Sequence, residues 1–389
     1  MRAAALALIC AALGAAAALG LGRGLGLVGD DATTETVVVH AAAPLQSAAA
    51  VRTGAPSGAF SPARIFARRS PGVVTVFSYF GGTGAQGSGF VVSRNGTILT
   101  NAHVITDAGE TSGAVHAASS VYVEFPDHDR VQAKVVGWDV FDDVGVLQIA
   151  PSAHELAPLP LGRSSTVVVG EPVAAIGSPL GNADSLAVGV VSAVGRSIAA
   201  LTAPHFQLID AIQTDTPIAH GSSGGPLLDA TGRVIGINAQ IRTDQGSASG
   251  VGFAVPADSA RRSLRDLLTK GHVTYAFAGL QTEDLTPALA RHFGLRVAHG
   301  ALVDHVTPGG PAARAGLHGG SRPEQFQGEA VLAGGDVVVA IDGRRVAGAT
   351  ALVRIVTNSL RPGQTAVFRV LRGGSRRSFA VRLTARPPR

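Results

Sequence analysis

His220-Gly221-Ser222-Ser223-Gly224-Gly225-Pro226 is the stretch on which the reading of this 389-residue chain turns. Glycines on both sides of a serine let the backbone turn tightly and bring its N–H groups close to an acyl group. Ser223 is then the candidate nucleophile, and the N–H groups of Gly221 and Ser223 are the candidate oxyanion donors. Alone, the same letters also describe an ordinary Gly-Ser turn. They do not describe a strand-to-helix nucleophile elbow, because Asp215-Thr216-Pro217 precedes the loop and Leu227-Leu228 follows it with no opening of a helix.

A serine hydroxyl needs a base, and a neutral imidazole serves best when a carboxylate fixes its tautomer. Upstream, the runs Ser88 to Ser93 and Thr97 to Thr100 flank Arg94-Asn95-Gly96, in which Asn-Gly is a strong hairpin signal. The second run leads directly into Asn101-Ala102-His103 and would hold His103 at a sheet rim. For the acid, Asp142-Asp143-Val144-Gly145-Val146-Leu147-Gln148-Ile149 places a carboxylate at the entrance of a buried strand. Asp143, Asp142 and Asp139 are all candidates on these grounds. The order His, Asp, Ser, with spacings of 40 and 80 residues, is the order found in double β-barrel serine proteases.

Composition agrees with a β-rich chain. Charged residues make up 15%, and 50 of 389 residues are Gly, well above the usual roughly 7%. This favours short strands and tight turns, and no heptad, charge block or Gly-X-Y period suggests a coiled coil, a disordered chain or a collagen. The net charge of +5 is uneven: eight Arg and no acid lie between Arg361 and Arg389, leaving 24 basic against 27 acidic residues elsewhere. Those arginines alternate with apolar residues in a hairpin pattern, without the aromatic interleaving of a nucleic-acid face, so no nucleic-acid partner is expected. Gly82 to Gly87 matches a dinucleotide fingerprint but is followed by a strand rather than a helix, and no spacing suggests a metal site. The chemistry expected here needs no cofactor.

Ala3 to Gly22 is apolar throughout, between Arg2 and Arg23. Twenty helical residues span about 30 Å, enough to cross a bilayer core, and the run is long for a cleaved signal. An uncleaved anchor over residues 1–24 is expected, with a Gly/Ala/Ser/Pro-rich tether over 25–61. The only cysteine, Cys10, lies in the anchor, so no disulfide is expected in the exported part. Two domains follow, a β-rich one over 62–270 ending in an amphipathic helix at Ala257 to Leu268, and a smaller mixed one over 273–386 with a helical stretch at Pro311 to Leu317.

Several motifs occur together and in order: Gly87-Ser88-Gly89-Phe90, Thr100-Asn101-Ala102-His103-Val104, Gly177-Ser178-Pro179-Leu180-Gly181, Gln213-Thr214-Asp215 and Gly252-Phe253-Ala254-Val255-Pro256. From about Ser61 to Leu383 the chain resembles the HtrA (Deg) family of trypsin-like serine proteases with a C-terminal PDZ domain. The resemblance implies a mainly β fold, a chymotrypsin-like double six-stranded β-barrel followed by a PDZ domain, here behind an N-terminal membrane-anchor helix. It selects Asp143 as the triad acid beside His103 and Ser223. Three positions depart from the family pattern: Ser222 for the usual Asn, Gly145 for the usual Ala, and His220 beside the nucleophile.

By the same resemblance, Pro217 lies at the base of the primary specificity pocket, with Ser222, Ala239, Gln240 and Ile241 around it. Phe277-Ala278-Gly279-Leu280 looks like the PDZ carboxylate-binding loop, its donors at Ala278, Gly279 and Leu280. Gly309 to Leu317 and Gly335 to Gly343 look like further PDZ motifs, and His318 to Leu332 is a longer connection than usual between them. The implied protein is a membrane-anchored, extracytoplasmic homotrimer that cleaves unfolded or damaged proteins and binds peptide C-termini at its PDZ domain. A peptide-binding chaperone or scaffold with a weak or inactive protease domain is the alternative.

Overall fold

The computed structural model describes residues 60–108, 114–178, 185–199, 202, 207–218, 221–239 and 251–387. The expected anchor, nearly all of the tether, His220, Gln240 and Ile241 lie outside them. No helix among the described residues is long and apolar enough to cross a membrane.

The strand-rich region opens with a helix that sequence periodicity did not suggest, α1 (Pro62–Arg69), with Pro62 at its first turn, where a missing N–H costs nothing. Six strands then close a barrel: β1 (Val73–Phe80), β2 (Thr83–Val91), β3 (Thr97–Thr100), β4 (Ser120–Glu124), β5 (Arg130–Asp139) and β6 (Val144–Gln148), in the order β1-β2-β3-β6-β5-β4. The Asn95-Gly96 hairpin joins β2 to β3, pairing Phe90 with Leu99 and Val91 with Ile98. Only Gly96 adopts positive φ, 85°, so the turn is wider than the two-residue type. Helix α2 (Ala102–Ile105) follows β3 and carries His103, which therefore sits on a short helical turn rather than on a strand end.

A second closed barrel has the order β10-β11-β12-β9-β8-β7, from β7 (Pro172–Gly177), β8 (Ser185–Ala199), β9 (Gln207–Thr214), β10 (Pro226–Leu228), β11 (Val234–Ala239) and β12 (Gly252–Pro256). Val76, Val123 and Leu147 fill the first barrel, and Val173, Ile212 and Leu227 fill the second. Phe90, Leu99 and Val146 of one barrel pack with Ile176, Leu228 and Ile237 of the other, so the seam between them is itself apolar core. Helix α3 (Ala257–Lys270) leaves β12 and ends at Gly271, whose φ of 75° gives a left-handed stop.

The C-terminal part begins with β13 (Ala276–Phe277), β14 (Leu280–Leu285), α4 (Pro287–His292), β15 (Gly300–Val306) and α5 (Pro311–Ala315). It continues through β16 (Arg322–Phe326), β17 (Glu329–Ala333), β18 (Val337–Ile341), β19 (Arg344–Arg345), α6 (Ala349–Ser359), β20 (Thr365–Arg372), β21 (Ser375–Arg382) and β22 (Thr384–Ala385). The main sheet runs β14-β15-β18-β20-β21, with β14 at an edge. The long connection from His318 is not a loose loop: β16 and β17 form a hairpin, Val331 is buried, and His292 Nε2 meets Glu324 Oε2 at 3.0 Å.

Candidate active site

His103 and Asp143 meet at the mouth of the first barrel. His103 Nδ1 lies 2.8 Å from Asp143 Oδ2, and the His103 backbone N–H donates to Asp143 Oδ1 at 3.0 Å. Asn101 Nδ2 donates to the Asp143 carbonyl at 2.8 Å, so the short helix and its N-cap residue grip the acid at three points. Asp143 is buried with φ 51°, a left-handed conformation uncommon outside Gly, Asn and Asp. Burial alone pushes the His103 imidazole down, but the charge of Asp143 and its hydrogen bond more than offset this, so His103 sits above its usual 6.5.

Asp139 and Asp142 face elsewhere. Asp139 is buried and accepts from Ser263 Oγ at 2.6 Å and from the Tyr275 hydroxyl, while Asp142 pairs with Arg262. Among the three acids, Asp143 is the one hydrogen-bonded to His103. Gly145 fits this crowding: a Cβ there would come within 2.8 Å of the Asn101 carbonyl oxygen and 2.7 Å of Ile105 Cδ1.

The serine loop is held at the seam of the barrels. Ser88 N donates to the Ser223 carbonyl at 2.7 Å, and Ser88 Oγ donates to the Gly221 carbonyl at 2.6 Å. Gly224 N donates to Asn238 O at 2.9 Å, and Asn238 N donates to Gly225 O at 2.8 Å. Gly221 and Gly224 have φ of 93° and 89°, and a Cβ on Gly224 would overlap the Ser88 carbonyl and the Thr100 hydroxyl. The Ser222 carbonyl accepts from Gly225 N at 3.1 Å. Carbonyl and N–H point oppositely across a trans peptide, so the Ser223 N–H is turned to the other side of the loop. Sequence reading quoted Ser88 and Asn101 within motifs but gave them no role, and it passed over Asn238 as a loop anchor. Their partners lie 133, 42 and 12 to 14 residues away, beyond any local pattern.

Pro217 is exposed, just past the end of β9. Gly252 of β12 packs under Thr216 and Ile218, while Ala239 is buried opposite Phe253 of β12. In the C-terminal sheet the Ala278 carbonyl accepts from Ala312 N and the Gly279 carbonyl from Thr307 N, each at 2.9 Å. The N–H groups of Gly279 and Leu280 therefore turn away from these partners, and Gly279, at φ 74°, makes the bend. No cluster of three or more His, Cys, Asp or Glu residues able to hold a metal occurs among the described residues.

Residues 87–237 match the family model for a trypsin-like peptidase domain, and residues 276–383 match that for a PDZ domain. The chain is 36% identical over 313 residues to the "Probable periplasmic serine endoprotease DegP-like" of Pseudomonas fulva, covering 79% of this chain and 58% of that protein. It is also 36% identical over 302 residues to "Protease Do-like 1, chloroplastic" of Arabidopsis thaliana, covering 78% of this chain and 64% of that one. The chain thus spans somewhat over half the length of the curated relatives it matches. Among solved structures it is similar to the HtrA-type protease AlgW with tripeptide, at a TM-score of 0.69 and 32% identity over 85% of this chain and 98% of that one. The serine endoprotease from Yersinia pestis gives a TM-score of 0.60 at 27% identity, over 85% of this chain and all of that one. With two closed barrels, matching peptidase and PDZ models and a relative covered over nearly its whole length, this chain belongs to the HtrA family of trypsin-like serine proteases that carry a PDZ domain.

Proposed function

We propose that the protein is an active extracytoplasmic serine endopeptidase of protein quality control, with His103, Asp143 and Ser223 as its triad. The observation that carries the reading is the paired contact of Asp143 with His103, to the ring Nδ1 and to the backbone N–H. With the Nδ1 proton directed at the carboxylate, Nε2 is left as the base. Ser223 Oγ gives its proton to Nε2 as it attacks the peptide carbonyl, and the N–H groups of Gly221 and Ser223 receive the oxyanion. His103 then returns the proton to the leaving amine, and water repeats the sequence on the acyl-enzyme.

Specificity comes from the surface around Pro217. An uncharged residue at the pocket base and the apolar side chain of Ala239 favour Val, Ala, Ile or Leu before the scissile bond. At the PDZ domain an extended peptide adds to the β14 edge, its terminal carboxylate received by the loop Ala278-Gly279-Leu280. The AlgW structures with a tripeptide and with a decapeptide support peptide binding in this family. The apolar run from Ala3 to Gly22 anchors the chain in the membrane, both domains lie outside the cytoplasm, and three copies assemble. Incubating the full chain with a chemically unfolded protein tests the activity: internal cleavage that disappears in Ser223→Ala is expected, and an uncut substrate would refute the reading.

A further inference from the structure

The turn that delivers Asp143 winds around a barrel residue, Asp139, and is braced from outside the barrels. Asp139, at the end of β5, pairs with Val144 at the start of β6, so residues 140–143 form the link between them. Asp139 Oδ1 accepts from the backbone N–H groups of Phe141 at 3.1 Å and Asp142 at 3.4 Å, winding the turn around its carboxylate. Its Oδ2 is taken by Ser263 of α3 and by the Tyr275 hydroxyl. Asp142, next to the triad acid, is bound by Arg262 of α3, whose other terminal nitrogen donates to Asn358 of α6 at 2.6 Å. The Phe141 ring stands edge-on to Tyr275 at 5.4 Å, and the Arg386 guanidinium lies 5.0 Å from the Phe141 ring centre. Arg386 N donates to the Tyr275 carbonyl at 2.9 Å.

Taking Asp143 as the triad acid, we propose that Tyr275, Asp139, Asp142 and Arg262 are positioning residues for it, setting the turn that presents its carboxylate to His103. The turn they brace ends in the left-handed conformation of Asp143. One of the holders belongs to the route into the C-terminal domain: Tyr275 immediately precedes β13, and three residues separate it from Gly279 of the proposed carboxylate-binding loop. Seating of that domain against α3 is therefore felt at the acid rather than at the nucleophile. The charged groups facing Asp139 are Asp142 in its own turn, Arg262 from α3 and Arg386 from the C-terminal end, with the Tyr275 hydroxyl directly on it.

Tyr275→Phe in the full chain tests this, because it removes one hydroxyl and keeps the ring packed on Phe141. Turnover should fall ten- to a hundredfold, the order expected for a misplaced catalytic group. KM should stay within about twofold, since no substrate contact is lost. The His103 imidazole, followed by proton NMR in a Ser223→Ala background, should titrate lower than in the parent, because a loosened Asp143 gives up its upward pull. Arg262→Lys should keep more turnover than Arg262→Met. If the His103 titration and kcat of Tyr275→Phe match the parent, with or without a lower melting temperature, the cluster is only structural and the proposal is overturned. A wild-type chain that cleaves nothing would sink the endopeptidase reading, while the His103 titration would still decide this one.

Discussion

The loop carrying Ser223 and the turn carrying Asp143 are both short and buried, yet they are held in opposite ways. Around Ser223 the fastenings are backbone amides and small side chains from within the two barrels: Ser88, Thr100, Asn238 and glycines that admit close approach. None of them titrates near neutral pH. Around Asp143, beyond the amides of Asn101 and His103, they are ionisable: Asp139 and Asp142 of its own turn, Arg262 reaching in from α3 and Tyr275 from the entry to the C-terminal domain. On the proposed assignment, the nucleophile is preorganised by the double barrel itself, and the acid answers to what docks on its turn. A neutral scaffold keeps its geometry across pH, whereas a buried ionic one is sensitive to pH and to loss of any member.

The sharpest break of this contrast removes the nucleophile. Ser223→Ala should lower turnover by a factor on the order of 10⁶ with the melting curve unchanged, while Ser222→Ala keeps most activity. Equal loss in both variants would show that the loop, not the Ser223 hydroxyl, is what matters. Next, Asp143→Asn should cost on the order of 10⁴ in kcat by favouring the wrong imidazole tautomer. Undiminished turnover in that variant would transfer the role to another acid.

A third experiment probes the rigid loop. Gly224→Ala should destabilise the protein by on the order of 2 to 4 kcal/mol, measured by chemical denaturation, because the new methyl group meets backbone that cannot yield and φ stays positive. An unchanged midpoint would mean that the loop is softer than its hydrogen bonds suggest.

The acid's turn should show the opposite signature, a pH dependence. Burial, and then the charge of Asp142, push Asp139 up to about 6 from its usual 3.8, against the pull of its hydrogen bonds and Arg262. A carboxyl raised by folding binds its proton more tightly in the native state, so its contribution is fully present below 3.8 and is lost as pH rises through about 6. Asp139→Asn should remove that loss, at most roughly 3 kcal/mol between pH 4 and 7. Parallel stability curves for the two proteins would contradict the assignment. Smallest is the substrate preference: apolar residues before the scissile bond should be favoured by about 1 to 3 kcal/mol, read by mass spectrometry of cleavage sites. A dominant preference for Arg or Lys would refute the role of Pro217.

Legibility in sequence followed the same divide. Gly96, Gly224 and Gly225 mark turns by themselves, and the Asn95-Gly96 signal located the β2–β3 hairpin, because these signals are local. The acid was not local. Three aspartates within five residues satisfy the same spacing, and what separates them is the identity of partners 40, 120 and 136 residues distant. Family resemblance pointed to Asp143, but nothing in the run 139–143 announced that Tyr275 would cap it. Helix α6, with two β-branched threonines and Val353, Ile355 and Val356, has weak intrinsic helicity and escaped the reading; packing of Leu352, Ile355 and Val356 into the sheet supplies what propensity lacks.

One measurement bears on the whole account: the rate at which a fluorophosphonate labels the full chain, followed across pH with the adduct mapped by mass spectrometry. A single adduct on Ser223 is expected, its rate rising with pH through a midpoint above 6.5, because the raised His103 must lose its proton before it can act as a base. Labelling that misses Ser223, or that proceeds equally fast in the Asp143→Asn variant, would contradict it.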